Sequence, residues 1–302
     1  MRLRLPRAAA AAIALGLLAL VAATAAPAPA ASQPTVVLGT KNFAEEYILG
    51  QLYKQALEAK GFKVSYKENI GSTEIIDTAL TSGKINVYPE YTGVIVQDVF
   101  HHALSAKTAH ATYLLAKQLQ EKRGFTLFAP TPFFDTDAIA VERTTATKYG
   151  LKTVVDLKKV PGLKLAGQPE FRTRNTGLVG LKRIYGLTKI GFVPLAGISP
   201  YAALDAGTVQ AAAVFSTDPP LGPGSKYVVL TDPKHLFGFQ NVAPVVSQKL
   251  ATALGPKFRQ TLDAVSAKLT TPAIIAMNKA VIVDKASPAV VAKAFLKANG
   301  LL

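Results

Sequence analysis

Two distant stretches of the chain follow one pattern. STEIIDTALTSGKINVYPEYTG at 72–93 and ISPYAALDAGTVQAAAVFSTD at 198–218 each pass through a helix-capping hydroxyl, a helical pattern, a glycine, a short apolar run, an aromatic and a polar turn. A helix stopped at glycine and followed by a buried strand is part of a βαβ unit, and such units build parallel sheets covered by helices. Two copies this far apart imply two similar lobes rather than one continuous sheet.

The neighbouring sequence extends the pattern. TVVLG at 35–39 reads as a buried strand, Asn42 and Glu45 have capping-box spacing, Ile48, Leu52 and Ala56 share one helical face, and Gly61 supplies a stop. FKVSYKEN at 62–69 alternates as a strand, Ser72 caps a helix through Leu80, and INVYP at 85–89 is a third strand, completing βαβαβ. After a helix from about Ser105 to Arg123, a second such half is expected from DAIAV at 137–141, a short helix near Val154, LKLAG at 163–167, a helix near 176–185 and IGFVPL at 190–195. In open α/β sheets ligands lie beyond the carboxyl ends of the strands, where Tyr88, Glu90 and Tyr91 fall in one copy and Phe215, Ser216, Thr217 and Asp218 in the other. Facing lobes would join both sets in one cleft. Tyrosine faces attract cations through the ring quadrupole, and a methylated ammonium, a poor hydrogen-bond donor, suits several rings at once.

Arg2, Arg4 and Arg7 precede an Ala/Leu run to about residue 23, and small residues at 26–31 offer cleavage sites, so residues 1–31 are expected to be a secretory signal peptide. With no cysteine there is no disulfide, no thiolate chemistry and no lipidated N-terminal Cys, which points to a protein free in the periplasm or secreted rather than lipid-tethered, the periplasm being the expectation. Losing the leader arginines lowers the formal charge from +15 to +12. The basic residues are scattered singly, without a dense run or interleaved aromatics, which argues against nucleic acid.

GTKNFAEEYILGQLY (39–53), STEIIDTAL (72–80), GKINVYPEYTG (83–93), GLVGLKRIYGL (177–187) and YAALDAGTVQAAAVFSTD (201–218) together resemble the substrate-binding proteins of the glycine betaine/choline/carnitine ABC importers, in order and through nearly all of the mature chain. The resemblance implies an α/β, type II periplasmic binding protein fold: two lobes, each a mostly parallel sheet flanked by helices, joined by two crossing hinge strands. Lobe 1 would comprise 32–135 and 240–302, the C-terminal helices returning to it, and lobe 2 would comprise 136–239. It further implies a monomer that captures a quaternary ammonium osmoprotectant and works with an inner-membrane permease and a cytoplasmic ATPase, with no cofactor and no metal. The alternatives on this scaffold are a different small solute, aromatic or polyol, or a ligand-sensing role.

Carried over by position, the resemblance makes Tyr91 and Tyr201 two walls of an aromatic cage and Phe215 a third, where relatives often have Tyr. The fourth wall falls at Asp137, in FFDTDAIAV, beside Asp135. A partly buried aspartate attracts a cation and opposes a carboxylate. For a ligand carboxylate the pattern suggests Lys41, Arg174 and a hydroxyl three residues beyond the cage tyrosine, but position 94 is Val. A cation without a carboxylate, such as choline, therefore fits Asp137 better, while Glu90 is expected to orient its loop.

No enzyme signature appears. G-x-S-x-G, a P-loop and G-x-G-x-x-G after a strand are all missing, and GPGSK at 222–226 reads as a turn. His101, His102 and His110 cluster without a carboxylate or cysteine to complete a metal-ligand spacing, and His235 stands alone.

Overall fold

The computed structural model describes residues 33–102, 108–195, 199–222 and 224–302. The expected signal peptide, Ser105 at the expected start of a helix, Ile198 and Pro223 of GPGSK lie outside the described residues.

The first βαβαβ unit is β1 (Val36–Lys41), α1 (Ala44–Ala59), β2 (Val64–Gly71), α2 (Thr73–Thr81) and β3 (Val87–Tyr91). A short helix α3 (Thr92–Val94), continued as a π-helical turn through Val99, leads to α4 (Ala109–Glu121) and β4 (Phe125–Leu127). The chain then crosses to a second sheet through β5 (Asp137–Glu142), α5 (Arg143–Tyr149), β6 (Lys164–Gly167), α6 (Leu178–Tyr185), β7 (Gly191–Pro194), α7 (Pro200–Asp205), β8 (Ala211–Phe215) and β9 (Tyr227–Leu230). It returns in β10 (Val242–Ser247) and ends with α8 (Gln248–Ser266), α9 (Thr271–Ile282) and α10 (Pro288–Ala298).

The sheets have the same topology. Strand order is β2-β1-β3-β10-β4 in the first and β7-β6-β8-β5-β9 in the second. In each, three parallel strands are followed by one antiparallel strand entering from the other lobe: β10 against β3 and β4, β5 against β8 and β9. DAIAV therefore does not open the second βαβαβ unit. That unit is β6-α6-β7-α7-β8, and β5 runs against it because the chain arrives from the crossover; an apolar run marks a buried strand but carries no direction.

Local sequence accounts for the elements. Central β1 is covered on both faces, with Val36 and Leu38 fully buried in one core and Val37 packed against another, whereas edge strand β2 alternates half-buried Val64 and Tyr66 with exposed Ser65 and Lys67. On α1 the stripe Ile48, Leu49, Leu52, Tyr53, Ala56 and Leu57 is buried. A Cβ at Gly50 would overlap Thr40 Cγ2, so this glycine lets α1 lie close on β1. The expected Asn42/Glu45 capping box does not form: the residue before α1 is Phe43, without a side-chain cap, and Glu45 turns into the interior. Gly83 (φ 73°) and Gly207 (φ 64°) follow α2 and α7 in the left-handed conformation, at matching points of the two repeats.

One apolar core joins α1 and β1 to Leu250, Phe258, Leu262, Ile274 and Leu296 of the C-terminal helices, and another runs from Ile139 to Phe237. The two crossover segments run antiparallel beside each other. Phe134 bridges Asn241, Asp135 N–H donates to Gln240 O (3.1 Å), and Asn241 Nδ2 donates to the carbonyls of Thr131 and Phe133 (3.0 and 3.1 Å).

Candidate functional site

Strand direction gathers the site. Lys41, Tyr91 and Phe215 are the last residues of β1, β3 and β8, and Asp137 is the first residue of antiparallel β5, which places it at the same edge of its sheet as Phe215. Asp137 and Phe215 are directly paired, so an aromatic and a carboxylate share one sheet face at the rim. The cleft has two joined chambers. A chamber of about 90 Å³ is bounded by Lys41, Tyr91, Val94 and Gln240, and one of about 540 Å³ by Phe171, Tyr201, Asp218 and Pro219, with Phe43, Asp135, Asp137, Arg174 and Phe215 lining both.

Three rings form a column across the cleft. Phe43 stacks on Tyr91 at 6.3 Å between centroids and on Phe215 at 5.3 Å, with interplanar angles of 24° and 19°. Tyr201 stands apart from this column. It packs on Tyr227 at 4.8 Å and donates its hydroxyl to Asp218 Oδ2 (2.8 Å) at the wall of the larger chamber. Tyr91 donates its hydroxyl to Glu45 Oε1 (2.8 Å), which fixes its ring.

The charges are arranged in pairs. Lys41 Nζ lies 2.5 Å from Glu90 Oε1 and 4.3 Å from the Tyr91 centroid, and Glu90 is wholly buried. Arg174 makes a two-pronged contact with Glu74 of the opposite lobe, Nε to Oε1 at 3.1 Å and Nη2 to Oε2 at 3.3 Å. Burial raises the Arg174 environment's cost of charge, but Asp98, Glu74 and Asp137 together hold its pKa above the usual arginine value. The Asp137 carboxylate accepts no hydrogen bond among the described residues; burial pushes it up to about 6, against the pull of Arg174.

Burial likewise raises Glu45, Glu90 and Asp218, takes Glu46 up to about 8, and lifts Asp135 well above the carboxylate range, with Glu45 and Asp218 adding to the last. Glu45 also bridges the lobes, accepting from Thr217 Oγ1 (2.6 Å) and Asn278 Nδ2 (2.8 Å).

The structure thus brings Lys41, Tyr91, Asp137, Arg174 and Phe215 around the smaller chamber and sets Tyr201 on the larger. Asp135 borders both, yet its Oδ1 accepts from Ser216 Oγ (3.0 Å) and Thr217 N–H (3.1 Å), holding the turn after β8. Tyr88 is not at the cleft: strand alternation turns it into the core, fully buried beside Ile76 and Val96, with no hydroxyl partner among the described residues. Two contributors were missed in the sequence, Phe43 and Glu74. Phe43 follows the end of β1 and could have been found by the strand-end logic that picked out Phe215; nothing local marks Glu74 as reaching another lobe.

Comparison with known proteins shows what the chain as a whole is similar to. A glycine-betaine-binding protein of Pseudomonas aeruginosa is 32% identical over 284 residues, 90% of each chain. The glycine betaine-binding protein YehZ of Escherichia coli is 30% identical, over 88% of this chain and 90% of its own. A crystal structure of a glycine betaine/carnitine/choline ABC transporter superposes with a TM-score of 0.69 at 26% identity, over 88% of this chain and 99% of that one. The family model for the substrate binding domain of ABC-type glycine betaine transport systems matches residues 34–298, and the chain belongs to that family.

Proposed function

We propose that this protein is exported by its leader, captures a quaternary ammonium solute between its two lobes, and delivers it to an inner-membrane permease driven by a cytoplasmic ATPase. The lobes would be 32–135 with 240–302, and 136–239, hinged at the paired crossover segments. The reading rests above all on the pairing of Asp137 with Phe215 beneath Phe43. A methylated ammonium there would meet ring faces from both lobes and a carboxylate without a hydrogen-bond partner among the described residues, and these contacts exist together only when the lobes close. Tyr91 would form the inner wall of the cage and Tyr201 an outer wall reached on closure. Among the described residues no helix is long and apolar enough to cross a membrane.

The test is a thermal-shift panel of glycine betaine, choline, carnitine, proline betaine, amino acids and sugars, with isothermal titration of whatever stabilises the protein. Stabilisation by methylated ammonium compounds alone is the expected result. Stabilisation only by sugars, polyols or amino acids would overturn the reading.

A further inference from the structure

Lys41 and Arg174 are the two cleft cations that could receive a ligand carboxylate, and each is already matched by a glutamate of this chain. Glu90 holds Lys41 at 2.5 Å in a fully buried pair. Glu74 holds Arg174 through both carboxylate oxygens, at 3.1 and 3.3 Å, the geometry in which a guanidinium grips a carboxylate ligand.

Glu74 is well placed for this. It lies in the first turn of α2, where a negative charge is favoured, and Ser72 Oγ donates to its Oε2 at 2.5 Å. Burial pushes its carboxyl up, but Arg174 outweighs that and holds it down at about 2, so the contact is ionic at any physiological pH. The pair also spans the lobes, and beside it Thr176 Oγ1 donates across the same boundary to Asp98 Oδ2 (2.8 Å). Glu74 sits on the far side of Arg174 from the cleft, where it edges a separate recess of about 330 Å³ with Asp77, Asp98 and His101, while Arg174 borders both the recess and the cleft. With both cations matched, the charges left facing the cleft without a partner among the described residues are the carboxylates of Asp137 and Glu170.

We propose that Glu74 is a specificity-determining residue: from the opposite lobe, on the recess side of Arg174, it takes up the Nε–Nη2 edge by which a guanidinium grips a carboxylate and neutralises that charge, so the cleft favours a quaternary ammonium with a neutral polar tail over a zwitterionic betaine. This deepens the quaternary ammonium reading and rests on it. A zwitterion must either displace Glu74 or leave its own carboxylate beside Asp137 without a cation; a choline-like cation faces neither cost.

The experiment is isothermal titration of choline and glycine betaine into the full mature protein and its Glu74→Gln variant at one salt concentration. Wild type should bind choline at least about tenfold more tightly than glycine betaine, and Glu74→Gln should tighten glycine betaine by about tenfold, the scale of one charge-assisted contact, while changing choline far less. The double variant Glu74→Gln/Arg174→Gln should cancel that gain. An ion pair with a purely structural role would alter both affinities together, so an unchanged choline-to-betaine ratio in Glu74→Gln overturns the proposal, as does a wild type that prefers betaine. If neither compound binds wild type, the proposal fails, and if no other methylated ammonium of the panel binds either, the quaternary ammonium reading fails with it, outcomes distinct from binding with an unmoved ratio.

Discussion

Lys41 carries its ammonium 4.3 Å from the centre of the Tyr91 ring and 2.5 Å from Glu90, so an internal cation already covers one aromatic face at the inner end of the cleft. The arrangement orders the wall of the proposed cage before any ligand arrives. The same ammonium lies 5.4 Å from the Phe43 centroid, which leaves Phe215 and Asp137, rather than the faces turned to Lys41, as the place where an incoming cation should gain most.

Removing that lysine should expose how much of the lobe depends on it. Lys41→Met strands the fully buried Glu90 without its cation and should lower stability by about 3–5 kcal/mol in urea denaturation, whereas Lys41→Met/Glu90→Gln, which removes both charges, should recover most of the loss. Equal losses in the single and double variants would mean that the lysine acts through packing alone.

Phe43 should matter to binding as much as the rings read from the repeats. It is the middle ring of the column, 6.3 Å from Tyr91 and 5.3 Å from Phe215. Phe43→Ala and Tyr91→Ala should each cost about 0.5–2 kcal/mol per lost desolvated face in titration of the best methylammonium ligand, and Phe43→Tyr should keep most of the affinity. Tyr91→Phe keeps the ring but drops the bond to Glu45, so it should lower stability more than affinity.

The two repeats carried the architecture because their glycines sit where helices must stop and their strands end in aromatics at the binding edge. Gly83 and Gly207 adopt the same left-handed turn, and Tyr91 and Phe215 reach the cleft from corresponding strands. Strand direction was not legible for DAIAV, since burial makes a central strand apolar whichever way it runs. Tyr88 lies three residues before Tyr91 on the same strand, so the period of two that turns buried Tyr91 to the cleft turns Tyr88 into the core. Glu45 and Glu74 carry signals that serve equally for helix capping, and only the packing of one lobe on the other gives each its partner, Thr217 and Arg174.

Asp137 predicts how pH acts on the ligand-free and loaded protein. Its carboxyl rises from 3.8 to about 6 on folding, so between those values the folded state holds a proton that the unfolded chain has released; ionising Asp137 as pH rises through about 6 therefore subtracts stability. Asp137→Asn should raise the melting temperature at about pH 7. A bound cation favours the ionised form, so affinity should increase from about pH 5 to about pH 7 with proton release, seen as buffer-dependent heats in titration, and Asp137→Asn should weaken cation binding and flatten that rise. A wild-type affinity that is flat across this range would remove Asp137 from the cation site.

Thr217 links the lobes at the level of the hinge. Its hydroxyl donates to Glu45 Oε2 at 2.6 Å, Asn278 Nδ2 donates to the same oxygen at 2.8 Å, and Asp135 anchors the Thr217 backbone N–H at 3.1 Å. Thr217→Val keeps the side-chain shape and removes the hydroxyl, which donates to Glu45 and also accepts from Asn278 Nδ2 at 3.3 Å, leaving the buried Glu45 carboxylate one bond short, which should cost about 1–3 kcal/mol of stability. Because the lost bond joins elements on opposite sides of the cleft, the ligand-free variant should also populate more open arrangements. It should therefore show a larger radius of gyration in small-angle scattering and bind ligand more weakly, closure now drawing more heavily on ligand contacts. Asp135→Ala, by contrast, should damage the turn that presents Phe215 and Thr217 and depress stability and affinity together. If Thr217→Val loses stability but keeps both its scattering profile and its affinity, the bond serves the fold of the hinge region and takes no part in the opening equilibrium.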